Sequence, residues 1–391
     1  MSAQKATHQA TKQHNRDLIL KTIFDHDTIS RAGIARLTQL TRTTVSEVVS
    51  SLLSEGLIKE VGPGSSIGGK PSILLSLVAD SRYLIGVNLA QHRFIASVVN
   101  LRGEIKKTVE VPVRDGDGVK AIELVYQILD QLLMEDYKPI VGIGVGTPGL
   151  INTRAGIVVN AVNLEWQDLP LARLLEERYT LPIRILNDSQ AAAIGEFVHG
   201  GHRSDGNLIV VNVSHGIGAG ILINGRLFQG DGGGAGEIGH VLVEENGLPC
   251  RCGRRGCLET LASGWAIIQA MKHVPGLSDI SSLDMIQTKF YTDSPSIEEI
   301  ILNAGRHLGR AIGSLVGTLN IESIILTGDV ARFGEPWLDA VREAMGTSAL
   351  ARMTRETQLG IGKLDYRACI LGSSAYLLLN DYSLLFLQKE N

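Results

Sequence analysis

One short stretch of this chain constrains it more than any other. It holds His240, Cys250, Cys252 and Cys257 in the form Gly239-His240-x9-Cys250-Arg-Cys252-Gly-Arg-Arg-Gly-Cys257. One imidazole and three thiolates are a complete donor set for tetrahedral zinc, and a Cys₃His set leaves no position open for water, so the expected site is structural rather than hydrolytic. Gly253 and Gly256 let the chain turn sharply enough for sulfurs so close in sequence to converge. The alternative reading is a group of ordinary reduced cysteines. The chain has four cysteines, and Cys369, in an apolar C-terminal stretch, reads as a small buried hydrophobe.

The rest of the sequence sets the context for that loop. A length of 391 residues suits two or three domains, with 44% hydrophobic residues, 20% charged residues and 11 prolines pointing to well-formed cores. The 44 glycines follow no period, as expected for an α/β protein with many tight strand-to-helix turns. The polar start, MSAQKATHQATKQHNRD, has no signal-peptide core, and no apolar run reaches the roughly 18–20 residues of a membrane span. The expectation is a cytoplasmic protein with no membrane insertion, in which clustered cysteines bind metal rather than pair. The net charge of −4 is unevenly spread, with nine Lys/Arg against six Asp/Glu in residues 1–79 and a net negative remainder. A mildly basic head on an acidic body fits a nucleic-acid-binding module joined to something else.

Residues 15–60 read as three helices. The first spans about 15–24, and the second about 30–38, with Ser30 as N-cap and Ile34 and Leu37 facing inward. The third follows Thr41 and carries Val45, Val48, Val49, Leu52 and Leu53 inward. Strands at 57–61 and 72–78 flank a glycine-rich tip, completing the order of a winged helix-turn-helix. Ala35 permits a close helix crossing, Leu40 plugs the turn, and Gln39 stands where glycine is common. The outer face of the third helix offers Arg42, Thr43, Thr44, Ser46 and Glu47 to base edges and phosphates of double-stranded DNA, with Lys70 adding charge at the tip. A small helical bundle or a protein-binding winged helix is the competing reading.

From Tyr83 onward strand-like runs (83–88, 95–100, 140–145, 208–213, 323–326) alternate with helical stretches (119–135, 169–179, 188–199, 260–273, 297–319). Early hairpin strands followed by β-α alternation indicate an α/β body with mixed sheets. Residues 274–296 read as an irregular surface excursion. The glycine-bearing strands around Gly86 and Gly216 suggest two similar lobes.

The run Gly236-Glu237-Ile238-Gly239-His240, leading into the cysteine loop and Glu259, resembles the signature of the ROK family of repressors, open reading frames and sugar kinases. The likeness extends to the Gly-Gly-Lys-Pro tip, Gly144-Val-Gly-Thr-Pro-Gly149, the Asn187-Asp188 pair, Gly216-Ile-Gly-Ala-Gly220 and Leu326-Thr-Gly-Asp329. It implies an actin-like, ribonuclease H-like two-lobed sugar-kinase fold behind the winged head. The divisions expected are 1–80 for the head and 81–391 for the body. Within the body, a small lobe takes about 81–187 plus a C-terminal helix at about 368–391, and a large lobe about 188–367 carries the zinc loop 240–257. The resemblance implies sugar contacts at Asn187, Asp188, Glu237, His240 and Glu259, with Asn163 nearby. Carboxylates and an amide converging on one cleft can discriminate hydroxyls, which both donate and accept. His240 can hold zinc with one ring nitrogen and serve the sugar with the other. Outside that motif, Asp188 would read as a helix N-cap and Glu259 as a solvated acid at a helix start.

In kinases of this family Asp188 would be the general base. The family's first phosphate loop, Asp-x-Gly-Gly-Thr, is replaced here by Asn88-Leu-Ala-Gln-His92, and Ser214-His215 precede Gly216 where kinases carry Gly-Thr. Side chains in both places obstruct the backbone cradle that phosphates require. The reading is therefore a zinc-stabilised, non-catalytic sugar sensor that binds no ATP, with Asp188 a vestigial base. It would regulate carbohydrate genes as a homodimer or tetramer on operator DNA, with a monosaccharide or sugar phosphate as effector. The alternatives are a hexose kinase with an appended head and a regulator titrated by a transport protein.

Overall fold

The computed structural model describes residues 8–64, 71–113, 118–202, 206–290 and 295–386. The head comprises α1 (His8–Phe24), β1 (Ile29–Ser30), α2 (Arg31–Thr38), α3 (Arg42–Ser54), β2 (Ile58–Pro63) and β3 (Ile73–Leu77). Local capping explains the helix starts. The Gly33 N–H donates to Ser30 Oγ at 3.1 Å and the Thr44 N–H to Thr41 Oγ1 at 3.1 Å, each satisfying an orphan donor of a first turn. Between the helices Gln39 takes φ 60°, a left-handed conformation that costs about 1 kcal/mol; its amide donates to the Arg36 carbonyl at 2.8 Å. Leu37, expected inside, is 54% exposed. The inner face of α2 lies between Ile34, fully buried, and Ala35, packed on the same core. At about 100° per residue, Leu37 points roughly 110° away from that face. The β2–β3 pair is antiparallel, and β1 joins its β3 edge. Lys70 lies outside the described residues.

The body opens with β4 (Tyr83–Leu89), β5 (Arg93–Asn100), β6 (Ile105–Pro112), α4 (Gly118–Leu133) and β7 (Ile140–Thr147). There follow β8 (Leu150–Asn152), β9 (Ile157–Ala161), β10 (Trp166–Leu169), α5 (Leu171–Tyr179) and β11 (Ile183–Asn187). Its main sheet has the order β11-β7-β4-β5-β6, with β4–β5–β6 antiparallel and β7 and β11 parallel to β4.

The second half runs through α6 (Asp188–His199), β12 (Leu208–Val213), β13 (Ile217–Ile223), β14 (Arg226–Phe228), α7 (Glu259–Ala262) and α8 (Gly264–Lys272). It continues with α9 (Leu283–Phe290), α10 (Pro295–Leu319), β15 (Ser323–Thr327), α11 (Glu335–Gly346), α12 (Ala351–Glu356), β16 (Gln358–Ile361) and α13 (Arg367–Asn380). Its sheet, β14-β13-β12-β15-β16, repeats the first design, an antiparallel meander extended by two parallel strands. Two lobes of one topology therefore face each other. The stretch expected as one helix over 260–273 is two helices, because Ser263 is extended and its Oγ caps α8 by accepting the Ala266 N–H at 3.1 Å. The segment expected to be irregular contains α9.

Helices α6 and α13 pack together between the sheets. A Cβ on Gly144 would lie 2.0 Å from the Ser373 carbonyl oxygen and one on Gly372 1.7 Å from that of Ala191, so both positions require glycine. The C-terminal segment does more than complete the small lobe. After α13, a 3₁₀ turn at Tyr382–Phe386 meets the head, and Phe24 and Tyr382 stand edge to face at 5.8 Å. Leu377, Leu378, Tyr382 and Leu385 share one buried cluster with Ile19, Leu20, Ile23 and Leu52. Arg102 reinforces the joint by donating to the carbonyls of Phe24 at 2.9 Å and His26 at 3.0 Å. Head and body thus meet through a common core.

Candidate functional site

A cleft of about 910 Å³ between the lobes is lined by Asn187, Asp188, Glu237, His240 and Glu259 together with Asn163 and Arg251, a size within the usual range for small-molecule sites. Asn187 ends β11 and is the N-cap of α6. Its Oδ1 accepts the N–H groups of Ser189 at 2.9 Å and Gln190 at 3.2 Å, and its amide donates to the Gly149 carbonyl at 3.0 Å. The capping duty falls on Asn187, leaving one of its amide protons for a ligand. Asp188 is the first helical residue. Its Oδ1 accepts the Ser189 N–H at 2.7 Å, yet burial, with the charge of Glu259 adding, holds its carboxyl above the usual range. Glu237 is pushed up to about 7 by burial and then by Asp188 and Glu259. The three acids therefore share one poorly solvated space, where protonated and ionised carboxyls can donate to and accept from hydroxyls.

Glu259 opens α7 and is 8% exposed. Its Oε2 accepts the Ile217 N–H at 3.3 Å and its Oε1 accepts from Arg251 Nη2 at 3.3 Å. A Cβ on Gly216 would come within 2.6 Å of that carboxylate, so the glycine of this turn makes room for the acid. Arg251 also donates through Nη1 to Asn163 Oδ1. One guanidinium thus ties the cysteine loop to an acid lining the cleft and to a loop of the opposite lobe, a link between residues too distant in sequence for pattern reading to detect.

The ligand atoms of His240, Cys250, Cys252 and Cys257 all lie within 4.8 Å of one another. Cys250 Sγ is 3.6 Å from His240 Nδ1, and Cys252 Sγ is 3.6 Å from Cys257 Sγ. Those separations match the edges of a tetrahedron built on Zn–S bonds of about 2.3 Å. The cysteines are free thiols, and the loop closes through bridges between Leu242 and Cys257 and between Pro249 and Arg255. The donor set therefore fits zinc, with Nδ1 as the histidine ligand and Nε2 left for a ligand in the cleft.

On the other side of the cleft, His92 after β4 and His215 after β12 meet edge to face at 5.6 Å, with an interplanar angle of 88°. Burial, with Arg251 and His92 adding, pushes His215 down to about 4. Unfolded, this imidazole takes up a proton near pH 6.5; folded, it resists until about pH 4, so its stabilising contribution is present above pH 6.5 and is lost as pH falls through that window. A shift of that size corresponds to at most about 3 kcal/mol. His215→Gln should accordingly show a flatter fall in Tm than the parent between pH 6.5 and 4.5; parallel curves would show that burial of this ring does not matter.

In the head, Arg42, Thr43, Ser46 and Glu47 are exposed at the start of α3. Thr44 is only half-exposed, and its hydroxyl lies 2.9 Å from that of Thr41 within the cap, which removes much of its freedom to reach a partner. Glu47 stands 4.0 Å from Lys12. No helix among the described residues is long and apolar enough to cross a membrane.

The family model of the ROK family matches residues 84–379. A putative xylose repressor of Caldicellulosiruptor sp. (strain Rt8B.4) is 34% identical, the match covering 95% of this chain and 97% of that protein. The DNA-binding transcriptional dual regulator NagC of Escherichia coli (strain K12) is 30% identical over 92% of this chain and 91% of its own. Among solved structures, a ROK family transcriptional regulator, a homologue of the E. coli MLC protein, superposes with a TM-score of 0.82 at 24% identity, covering 96% of this chain and 98% of that one. A ROK family glucokinase from Streptomyces griseus, solved with glucose and AMPPNP, superposes with a TM-score of 0.69 at 26% identity, covering 75% of this chain and 98% of its own. The two-lobed body is the actin-like fold that regulators and kinases have in common. The chain belongs to the ROK family.

Proposed function

We propose that this chain is a sugar-responsive transcriptional repressor, built from a winged helix-turn-helix and a non-catalytic sugar-binding body, acting on carbohydrate genes. The observation that carries the reading is the pairing, in one chain, of an enclosed acid cluster in the inter-lobe cleft with an exposed helix start at Arg42, joined through a shared core. Relatives that match over nearly the full length are named xylose repressors, which supports it. In the cleft, Asp188, Glu237 and Glu259 read the hydroxyls of a monosaccharide or sugar phosphate, and His240 Nε2 and the free Asn187 amide proton supply donors. His240 Nδ1, Cys250, Cys252 and Cys257 hold zinc, which supplies a structural cross-link that fixes the segment from Glu237 to Glu259. Asp188 sits where kinases of the family keep a base, but Asn88, Gln91, His92 and His215 crowd the phosphate side with side chains. We infer that ATP is not used. The acting form is a dimer or tetramer in the cytoplasm, its heads reading paired half-sites, and sugar binding alters the relation of head to body.

Selection of bound duplexes from a random pool by the full-length protein should return a two-fold symmetric site. Arg42→Glu should weaken that site by about a hundredfold, since it removes a phosphate or guanine contact and adds repulsion; unchanged affinity would reject α3 as the reading helix. Calorimetry with a monosaccharide panel should give heat that Asp188→Asn abolishes. Absence of heat from every free sugar would favour a protein-titrated regulator, and Asp188-dependent ATP consumption would favour a kinase.

A further inference from the structure

Away from the sugar cleft, a second cavity of about 430 Å³ opens where the two lobes meet α13. Its walls come from the β8–β9 turn (Thr153, Arg154), α5 (Arg173), β11 (Arg184), the segment after β14 (Gln229) and α13 (Tyr376). Three guanidiniums face a space with one carboxylate in its lining, Glu176. Arg173 is already paired with Glu177 at 2.7 Å. Arg184 donates through Nη1 to the Ile183 carbonyl at 2.9 Å and forms no ion pair among the described residues, and Arg154 likewise forms none. Polar donors and acceptors surround the pair. Gln229 Nε2 donates to Thr153 Oγ1 at 3.1 Å across the two lobes, and the half-buried Tyr376 lines the same wall close to the charge of Arg184.

Two guanidiniums without acidic partners among the described residues, lining one cavity from different elements with a phenol and an amide, are a donor set suited to a phosphate. Water and entropy alone would let unpaired arginines of this kind point freely into solvent; a concave, part-buried cavity holds Arg184 in place instead. We propose that this cavity is a second ligand site, separate from the sugar cleft, that binds a phosphate group carried by a small metabolite or present as the free ion.

The location gives such binding consequences. Strand β11 runs from Arg184 directly to Asn187, and Asp188 follows it. Helix α13 runs from Tyr376 into the turn at Tyr382 that packs on Phe24 of the head. A phosphate bridging Arg154 to Arg184 therefore touches the strand that ends at the sugar-facing residues and lies against the helix that reaches the head.

The test uses the full-length protein with sodium phosphate, glycerol 3-phosphate and sodium chloride at matched ionic strength, read by thermal shift and calorimetry. Phosphate, the ester or both should stabilise the protein beyond chloride with saturable binding, and the tighter of the two identifies the source. Arg154→Gln and Arg184→Gln should each weaken binding by about tenfold, the loss expected for one charge-assisted hydrogen bond. Because Arg154 is exposed, its variant keeps the test valid if Arg184→Gln fails to fold. His215→Gln, on the phosphate side of the sugar cleft, should leave the shift intact. No stabilisation beyond chloride, a shift that survives Arg154→Gln undiminished, or one abolished by His215→Gln would each overturn the proposal.

Discussion

Cys257→Ser is expected to release the metal and to cost the protein most of its sugar affinity. Cys257 is 1% exposed and its Sγ stands 3.6 Å from that of Cys252, so serine there replaces a thiolate by a weaker ligand at the most enclosed corner of the tetrahedron. A structural zinc of this kind contributes about 10 kcal/mol or more to the order of its loop. The loop's two ends carry cleft-lining acids, proposed above to contact the sugar, with Glu237 just before His240 and Glu259 just after Cys257. Releasing the ion therefore removes the constraint that brings those carboxyls together, and affinity should fall by more than about tenfold. The parent should carry one zinc per chain by elemental analysis and the variant none. Cys369→Ser, buried among Leu186, Ala191 and Ile194 and outside the group of four ligands, should keep its zinc. A variant at Cys257 that retains both metal and sugar heat would sink the account of the loop.

The clustering of His240 with the three cysteines was legible because these residues are close in sequence and few other roles suit three thiols in so short a stretch. The head was legible for a related reason. Caps at Ser30 and Thr41 and the left-handed turn at Gln39 obey rules that operate within four residues. Leu37 was misplaced because α2 is eight residues long, too short for spacing alone to decide which side of Ile34 meets α3. The break at Ser263 separates two stretches that are both helical, so periodicity ran through it. What the sequence concealed are contacts between distant segments. Arg251 reaching Asn163, His92 meeting His215, and the C-terminal turn seated on α1 pair residues dozens to hundreds of positions apart. None leaves a local pattern, and all three join parts of the molecule that a regulator has to connect.

The last of these contacts predicts a variant that binds both ligands and no longer links them. Tyr382 is 7% exposed, with its ring 5.8 Å from that of Phe24, and Arg102 clamps the end of α1 through the carbonyls of Phe24 and His26. Neither residue lines the inter-lobe cleft and neither belongs to the exposed start of α3. Tyr382→Ala should cost about 3 kcal/mol of stability by opening a cavity in the shared core, while Arg102→Gln removes two hydrogen bonds with a smaller packing change. In both variants the intrinsic affinities for sugar and for the selected DNA site should remain close to those of the parent. What should disappear is their interdependence. Coupling between two sites is a free energy of typically about 1–3 kcal/mol, a change of about 5- to 150-fold in one affinity when the other site is filled. With the joint loosened, head and body fluctuate independently and that factor should shrink towards about twofold, with Arg102→Gln supplying the result if Tyr382→Ala proves too unstable to purify. Reciprocity provides a second, independent measurement, because DNA should equally cease to alter sugar affinity. If a folded Arg102→Gln protein keeps the full sugar effect on DNA binding, the signal travels by a route other than the core shared by α1, α13 and the C-terminal turn.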